Sequence, residues 1–180
     1  MKQKKPWKKL SQRYVYEHDP FIKVRRDLVI QPDGKKGKYT VVEHPDSVVI
    51  VAKTKQGKFY LVRQWRYPMN RNSLELPVGG VLNGETPKTA AIRELAEEAG
   101  IKASSWKEIG SWYPSPWIIN TTAYVFLAEG LRKIEHSADA TEKDIIVRQY
   151  SYNQLTKMIK EGKIKNAITI TALWYYEASK

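Results

Sequence analysis

The segment Gly79–Ile101, GGVLNGETPKTAAIRELAEEAGI, places four carboxylates in a short loop and in the helix pattern that follows it. Glu85 lies in the loop, whereas Glu94, Glu97 and Glu98 lie in the helix pattern. Glu94 and Glu98 are four residues apart, so they share one helix face, which Glu97 borders. Like charges at this spacing destabilise a bare helix, and the cluster therefore requires a compensating cation. Because Mg²⁺ and Mn²⁺ prefer oxygen ligands of this kind, this acidic segment predicts metal-assisted chemistry.

A strand, a glycine turn and a capped helix are predicted around these carboxylates. The pattern of Leu74–Val78 is that of a short extended segment, which runs into a turn at Gly79–Gly80. Thr86 is predicted to cap the helix, with Pro87 at the first helical position and Gly100 just past the end. The small apolar stripe of this helix is formed by Ala91, Leu95 and Ala99. An ordinary solvated acidic face is the alternative interpretation.

Length and composition indicate a small enzyme. The chain has 180 residues, enough for one domain, or one domain with a short appended subdomain, and a substantial core. It contains no cysteine, so disulfides and thiolate metal sites are excluded. The longest apolar runs, Val48–Ala52 and Ala123–Ala128, are too short to span a membrane, and no apolar stretch follows the basic N-terminus. A cytoplasmic location is expected.

The net charge of +12 would attract anions. Many of the basic residues lie in the first 38 residues, and residues 1–10 are interpreted as a basic, flexible tail. A surplus of this size suits a substrate with a diphosphate as well as a polyanion. Because no nucleic-acid-binding motif is visible, nucleic acid is not the expected partner.

Strands are predicted mainly in the first half of the sequence, and helices are predicted later. A hairpin loop, Lys53–Lys58, is predicted between two core strands, Val48–Lys53 and Phe59–Gln64. Tyr152–Glu161 has a helical pattern, and a C-terminal helix is expected to begin near Asn166. Runs of strands interrupted by a few helices are typical of an α+β layered domain.

The acidic segment resembles the signature of the Nudix hydrolases at every defining position: Gly79, Glu85, Arg93, Glu94, Leu95, Glu97, Glu98, Gly100 and Ile101. Outside it, residues 11–178 resemble the branch that contains ADP-ribose pyrophosphatases and other nucleoside diphosphate sugar hydrolases. Three features carry that second resemblance: the segments Val62–Pro68 with Leu74–Gly80, Tyr113–Pro116, and Glu161–Ala167. The resemblance implies a Nudix-type α/β/α sandwich with a mixed sheet in residues 46–180. It also implies an N-terminal antiparallel β subdomain in residues 11–45, which mediates homodimerisation.

The resemblance further implies roles for the acidic residues. Glu94 and Glu98 are expected to hold Mg²⁺ or Mn²⁺, with Glu97 and the backbone carbonyl of Val78 completing the shell. Arg93 is expected to orient the glutamates. A glutamate from a later loop commonly activates the attacking water in this branch, and Glu142 is the candidate here, with an ordinary exposed acid as the alternative.

Substrate-binding candidates lie on either side of the acidic segment. Arg66 is the main candidate for phosphate binding, because arginine suits bidentate phosphate recognition. Strand alternation puts Trp65 on the face of Arg63, opposite Gln64 and Arg66, so these residues cannot all line one pocket. Trp65 is interpreted either as a base-stacking residue or as a core residue. Within the resemblance, Glu75 is a further substrate-binding candidate.

The loop at Ser115–Trp117 departs from the branch pattern. Pro116 matches the branch, which usually continues with glycine, whereas this chain has Trp117. The tryptophan either broadens the site for the terminal sugar, so that substrates such as GDP-mannose enter beside ADP-ribose, or packs the loop onto the core. Two other functions stay open: hydrolysis of RNA 5′ ends or nucleotides, and a non-catalytic nucleotide-sugar sensor. Such sensors often lose a glutamate of this signature, but here all are present.

Overall fold

The computed structural model describes residues 6–18, 21–134 and 145–180, which divide into two compact units. One unit contains the described residues up to Pro45 together with Tyr113–Thr122, and the other contains Asp46–Trp112 and the described part of Ala123–Lys180. Within the described ranges the strands are β1 (Lys8–His18), β2 (Ile22–Ile30), β3 (Lys36–Glu43), β4 (Ser47–Ala52), β5 (Lys58–Arg66), β6 (Arg71–Glu75), β7 (Val78–Gly80), β8 (Ile101–Lys102), β9 (Ser105–Trp112), β10 (Ala123–Glu129), β11 (Arg132–Lys133) and β12 (Ile146–Ser151). The α-helices there are α1 (Pro87–Ala99), α2 (Tyr152–Lys160) and α3 (Ala167–Ala178), and a short 3₁₀ helix covers Tyr67–Met69.

The caps predicted for α1 are present. The Thr86 side chain accepts a hydrogen bond from the backbone N–H of Thr89, and Pro87 is the first helical residue. Gly100 adopts the left-handed conformation, with φ of 63°, and its N–H bonds back to the last turn. Because both ends are fixed by local chemistry, the register of the helix, and with it the direction of its acidic face, is set within the acidic segment itself.

The larger unit has a core on both faces of β4. The sheet order is β7–β4–β10–β9, in which β4 and β10 are parallel and the other pairs are antiparallel. Val48 and Ile50 face the cluster that contains Leu95 of α1, whereas Val49 and Val51 face the cluster that contains Leu173 of α3. A strand that is fully buried on both faces needs a helical layer on each side, so this is the predicted α/β/α sandwich with a mixed sheet.

The connection between β4 and β5 differs from the predicted hairpin. The turn is present, since the N–H of Thr54 donates to the carbonyl of Lys58. However, β4 and β5 belong to different sheets and meet only at a bridge between Lys53 and Phe59. β5 instead lies between β12 and β6 in a three-stranded antiparallel sheet. A turn signal indicates a reversal of the chain, but it does not decide which strands pair afterwards.

The smaller unit contains the antiparallel sheet β1–β2–β3 that was predicted for the N-terminal region. β1 begins at Lys8, so the strand includes the last residues of the segment interpreted as a tail. The loop Tyr113–Thr122 belongs to this unit, where the N–H of Val42 donates to the carbonyl of Ile118. None of the helices in the described ranges has the length and apolar character that a bilayer crossing requires.

Candidate active site

Two carboxylates of α1 are buried on one helix face. Glu94 is 7% exposed and Glu98 is 4% exposed, one turn apart as the sequence predicts. The Oε2 atom of Glu98 accepts a hydrogen bond of 2.9 Å from the backbone N–H of Val78, and its Oε1 lies 3.5 Å from the Nε2 of Gln64. The packing of Leu95 and Ala91 into the core brings this face of the helix against β5 and β7. Buried carboxylates require such partners, because an unpaired buried charge is very costly.

Arg93 is the cation that holds the acidic residues together. Its Nε and Nη2 atoms donate to the two carboxylate oxygens of Glu85, at 2.9 and 3.0 Å. Its Nη1 donates to Glu94 at 2.7 Å and to Glu97 at 2.8 Å, and its Nη2 also reaches the carbonyl of Gly80 at 2.9 Å. One guanidinium therefore contacts three carboxylates, and its orienting role in catalysis stays a prediction.

The electrostatics of this cluster follow from these contacts. The hydrogen bond to Glu85 is the main reason why the pKa of Arg93 lies above its ordinary value, and the carboxylates of Glu94 and Glu97 contribute to the same shift. The hydrogen bond from Arg93 also holds the pKa of Glu85 below its ordinary value, with help from the backbone N–H of Leu82. Arg93 and Glu85 are thus both charged at neutral pH, and charge-assisted hydrogen bonds between them tie the loop to the helix.

Gly79 leaves the space that Glu94 occupies. A methyl group on Gly79 would overlap the carboxylate of Glu94, so any larger residue at this position would displace that side chain. The glycine is therefore required for the close approach of a backbone segment to a buried carboxylate. This explains in physical terms why a glycine stands at the first position of the acidic segment.

The donor chemistry of the cluster fits a hard divalent cation. Glu94 and Glu98 offer buried carboxylate oxygens, and Gly79 allows the Glu94 carboxylate to lie close against the backbone of β7. As arranged, no group of three or more acidic, histidine or cysteine side chains in the described part of the chain is placed to hold a metal ion, and Arg93 is the counter-charge. The two buried carboxylates would thus supply part of a shell, to which Mg²⁺ typically adds several waters.

A second charged pair lies on the β5–β6 ladder. The Nε of Arg66 donates to the Oε1 of Glu75 at 3.1 Å, and its Nη2 donates to the Oε2 at 2.6 Å. Burial alone raises the pKa of Glu75, but hydrogen bonds from Arg66, Ser73 and Asn166 outweigh it and hold the pKa below its ordinary value. The hydrogen bond to Glu75 is also the main reason why the pKa of Arg66 is raised. Two donor atoms of Arg66 are therefore already committed to a buried carboxylate, which the prediction of free bidentate phosphate binding did not anticipate.

The Arg66–Glu75 pair lies in a cleft with a volume of about 330 Å³. On one side the cleft is lined by β6 and the turn before it, including Arg71. On the other side it is lined by the turn that leads into α3, from which Lys163 and Lys165 contribute. We call this the basic cleft; it is lined by Arg66, Pro68, Met69, Arg71, Asn72, Ser73, Glu75, Lys163, Lys165 and Asn166.

Strand alternation sorts the remaining candidates on β5 as predicted. Gln64 and Arg66 face the acidic cluster and the basic cleft, whereas Arg63 and Trp65 lie on the other face. Trp65 is 46% exposed, so the core interpretation of this residue is wrong. The structure thus brings Glu75 and Arg66 together and keeps Arg63 and Trp65 apart from them.

Three candidates lie elsewhere. Pro116 and Trp117 belong to the smaller unit, where the hydroxyl of Tyr39 donates to the carbonyl of Trp117 at 2.7 Å. The indole of Trp117 is 68% exposed, so it does not pack the loop onto a core. Glu142 lies outside the described residues, and its role stays a prediction.

Sequence reasoning did not select Gln64, Lys163 and Lys165 as site residues. Gln64 could have been found from strand alternation, since it shares the face of Arg66. The two lysines flank the buried Ile164. This alternation of exposed and buried residues was the sequence pattern from which the lysines could have been selected. The partner of Arg66 could not be read from the chain, because it depends on the pairing of β5 with β6.

Comparison with known proteins places these features in a family. The NUDIX domain family matches residues 43–171, and the family described as nucleoside diphosphate sugar hydrolase N-terminal domain matches residues 7–42. An ADP-ribose pyrophosphatase of Bacillus subtilis is 31% identical over 94% of this chain and 95% of its own length. A methanol dehydrogenase activator of Bacillus methanolicus is 30% identical over 87% of this chain and 85% of its own length.

A solved structure described as an ADP compounds hydrolase has a similar fold. It superposes with a TM-score of 0.85 and covers 99% of this chain and 96% of the other, at 17% identity. The likeness confirms the predicted fold class. Glu94 and Glu98 lie buried on a capped helix, where Arg93 contacts Glu94, inside the region that the family match spans. The chain therefore belongs to the Nudix hydrolases, which generally use divalent metal ions.

Proposed function

We propose that this protein hydrolyses the pyrophosphate bond of a nucleoside diphosphate sugar, such as ADP-ribose or GDP-mannose. The products are a nucleoside monophosphate and a sugar phosphate. The observation that carries the proposal is the buried Glu94–Glu98 pair, which adjoins a strand face that leads by way of Gln64 to a cleft rich in cationic side chains. The Bacillus subtilis relative, which is matched over nearly its whole length, supports the same substrate class.

The reaction joins one water oxygen to one phosphorus atom and breaks the bond from that phosphorus to the bridging oxygen. The bridging oxygen leaves with the other phosphate, and the water gives its proton to a base. Mg²⁺ or Mn²⁺, when bound, neutralises phosphate charge and lowers the pKa of a coordinated water. Glu94 and Glu98 would hold the ion, with Glu97 and the carbonyl of Val78 as further ligands.

The protein groups around this chemistry have separate tasks. Arg93 keeps the glutamates oriented through its contacts to Glu85, Glu94 and Glu97, and is a positioning residue. Glu142 is proposed as the base that receives the proton. Replacement of Glu142 by glutamine should lower turnover and leave metal binding intact, which metal titration of the variant would measure. An unchanged rate would assign the base to another residue.

We also propose that the protein is a homodimer formed through its N-terminal sheet. All eleven residues of β1 are exposed, and β1 is at the edge of its sheet. Leu10, Val15 and Tyr16 are each more than 40% exposed within that one strand. Apolar side chains this exposed along one edge strand favour a strand that a second copy covers. Leu10→Glu with Tyr16→Glu should convert the dimer to a monomer in sedimentation analysis, and a wild-type monomer would contradict the proposal.

The test of the function is a metal-dependent hydrolysis assay with separated products. The panel contains ADP-ribose, GDP-mannose, UDP-glucose, a nucleoside triphosphate and a 5′-triphosphate RNA, with Mg²⁺ or Mn²⁺ as the added ion. Cleavage of one or more sugar nucleotides supports the proposal. Cleavage of the triphosphate or the RNA alone, or no cleavage at all, would overturn it.

The same panel of substrates tests the role of the loop at Ser115–Trp117. Trp117→Gly should change the ranking of the sugars if the exposed indole contacts the substrate, and should leave it unchanged otherwise.

The expected cytoplasmic location is tested by fractionation of cells that produce the protein.

A further inference from the structure

We propose that the basic cleft binds a phosphate monoester that the substrate carries in addition to its scissile diphosphate. The inference rests on the proposed function and concerns substrate specificity. The residues that would read this extra phosphate are Arg71, Lys163 and Lys165. The preferred substrate is accordingly a nucleoside diphosphate derivative that is phosphorylated on one of its sugars.

The basic cleft continues the substrate face of β5. Gln64 and Arg66 are two residues apart on one face of the strand. Gln64 lies beside Glu98 of the acidic cluster, and Arg66 lines the cleft. A diphosphate held at the carboxylates would therefore extend one of its ends along this strand face toward the cleft.

The cations of the cleft exceed its anions. Arg66 is neutralised by Glu75, and Lys163 forms an ion pair of 2.8 Å with Glu161. Arg71 and Lys165 form no ion pair with any residue in the described ranges 6–18, 21–134 and 145–180. The cleft thus carries two positive charges that are not balanced by a carboxylate among the residues the structure describes.

The backbone of the turn that carries the lysines is fixed. Ile164, which lies between them, is 2% exposed and belongs to the core cluster of α3. The N–H groups of Lys163 and Ile164 both donate to the carbonyl of Met158. Because Ile164 is anchored inward, its two neighbours are held at the cleft without ordering of the backbone on binding, which lowers the entropic cost of recognition.

An ordinary sugar nucleotide would leave these charges without a partner. The charge of its diphosphate would be met by the divalent ions at the acidic cluster, and its nucleoside and sugar are uncharged. A phosphate monoester carries a charge of about −1.5 to −2 at pH 7, which matches the two unbalanced cations. The cavity volume of about 330 Å³ is at the small end of the range for small-molecule sites, so it suits one phosphorylated sugar rather than a whole sugar nucleotide.

The experiment compares ADP-ribose with three phosphorylated forms, which carry the extra group at the 2′ or 3′ position of the adenosine or at the 1″ position of the terminal ribose. Products are separated by anion-exchange chromatography, because a phosphatase-coupled assay would also remove the monoester. One phosphorylated form should have a kcat/KM at least about tenfold above that of ADP-ribose, the effect of about one or two charge-assisted hydrogen bonds. In Arg71→Gln/Lys165→Gln, which removes both unbalanced cations, the ratio should fall close to one, whereas Lys160→Gln, at an exposed lysine of α2 outside the cleft, should retain it.

The outcomes separate the two proposals. Equal kcat/KM for all four compounds, or a preference that the double variant retains, would overturn the assignment of the cleft while leaving sugar-nucleotide hydrolysis in place. Failure of the wild-type enzyme to cleave any sugar nucleotide would overturn the proposed function itself. Loss of the preference in the double variant but not in Lys160→Gln would support the proposal.

Discussion

The acidic cluster of α1 and the basic cleft beside β6 use the same kinds of side chain in opposite proportions. In the acidic cluster, one guanidinium contacts the carboxylates of Glu85, Glu94 and Glu97, with Glu98 one turn from Glu94. In the basic cleft, Glu75 is the carboxylate among four cationic side chains. Each region thus has an internal ion pair and an excess of one sign.

The difference indicates what each region binds. The ion pairs within each region hold its side chains in place. The charge that remains after pairing indicates the opposite charge of the ligand that the region binds. The acidic cluster requires cations and the basic cleft requires anions. The two regions are joined by one strand face, so a single ligand with a cation-bound diphosphate and a further anionic group would satisfy both.

The largest expected effect is from Glu98→Gln in the acidic cluster. The amide oxygen can still accept the hydrogen bond from Val78, so the fold should be retained, but the charged metal ligand is lost. Turnover should fall by about a thousandfold or more, while the melting temperature stays within a few degrees. The matched control, Glu108→Gln, changes an exposed glutamate of β9 and should leave both quantities unchanged. A loss below about tenfold would place the metal ligands elsewhere.

Gly79→Ala tests whether the acidic cluster depends on space as well as charge. The added methyl group would overlap the carboxylate of Glu94 and force it to move. We expect activity to fall by about 10 to 100-fold, with a weaker response to added metal. Full activity at ordinary metal concentrations would show that the position of Glu94 is not critical. Circular dichroism would separate this local effect from loss of the fold.

In the basic cleft, Arg66→Lys retains the charge and removes the bidentate geometry. Lysine cannot match both oxygens of Glu75, so that buried carboxylate would lose part of its hydrogen bonding. We expect kcat/KM to fall about tenfold and the free energy of unfolding to drop by about 1–3 kcal/mol. Arg148→Lys, an exposed position on β12, is the control. If Arg66→Lys had no effect on either quantity, the pair would be dispensable.

The smallest effect is a pH dependence of stability that Glu75 should cause. Its pKa is lowered in the folded protein, so the unfolded chain binds the proton more tightly. The stabilisation is therefore fully present above about pH 4.3, the ordinary pKa of the carboxyl, and is lost as the pH falls through the lower folded-state pKa. Urea denaturation of wild type and Glu75→Gln at pH 7 and pH 3 should show a difference that shrinks at the lower pH. A difference that grows in acid would reverse the sign of this argument.

The sequence predicted the acidic cluster better than the basic cleft, and the reason is physical. Thr86, Pro87 and Gly100 define α1 by local chemistry, so the spacing of Glu94 and Glu98 translates directly into one buried face. The cleft, by contrast, forms where the β5–β6 ladder meets the turn before α3, and these two segments are far apart in the chain. The predicted turn at Lys53–Lys58 is present, but the turn signal does not show that β5 pairs with β12 and β6.

The burial of both faces of β4 could be predicted from its run of apolar residues, but the partner of Arg66 could not be predicted. A run of apolar residues predicts a strand with helices on both sides, because no face can be left in water. A charged residue on a strand can pair with several others, and only the three-dimensional arrangement selects Glu75. The 46% exposure of Trp65 likewise could not be predicted from the residue type, which is common in cores and at surfaces alike.

The contacts of Arg93 also bear on how the protein can be handled. A helix face whose repulsion is relieved by a built-in guanidinium does not rely on an external ion to form. Preparations stripped with a chelator should therefore melt at nearly the same temperature as untreated ones, and should regain full turnover when a divalent salt is returned. A zinc finger unfolds without its metal, whereas we expect this scaffold to stay folded without an added ion.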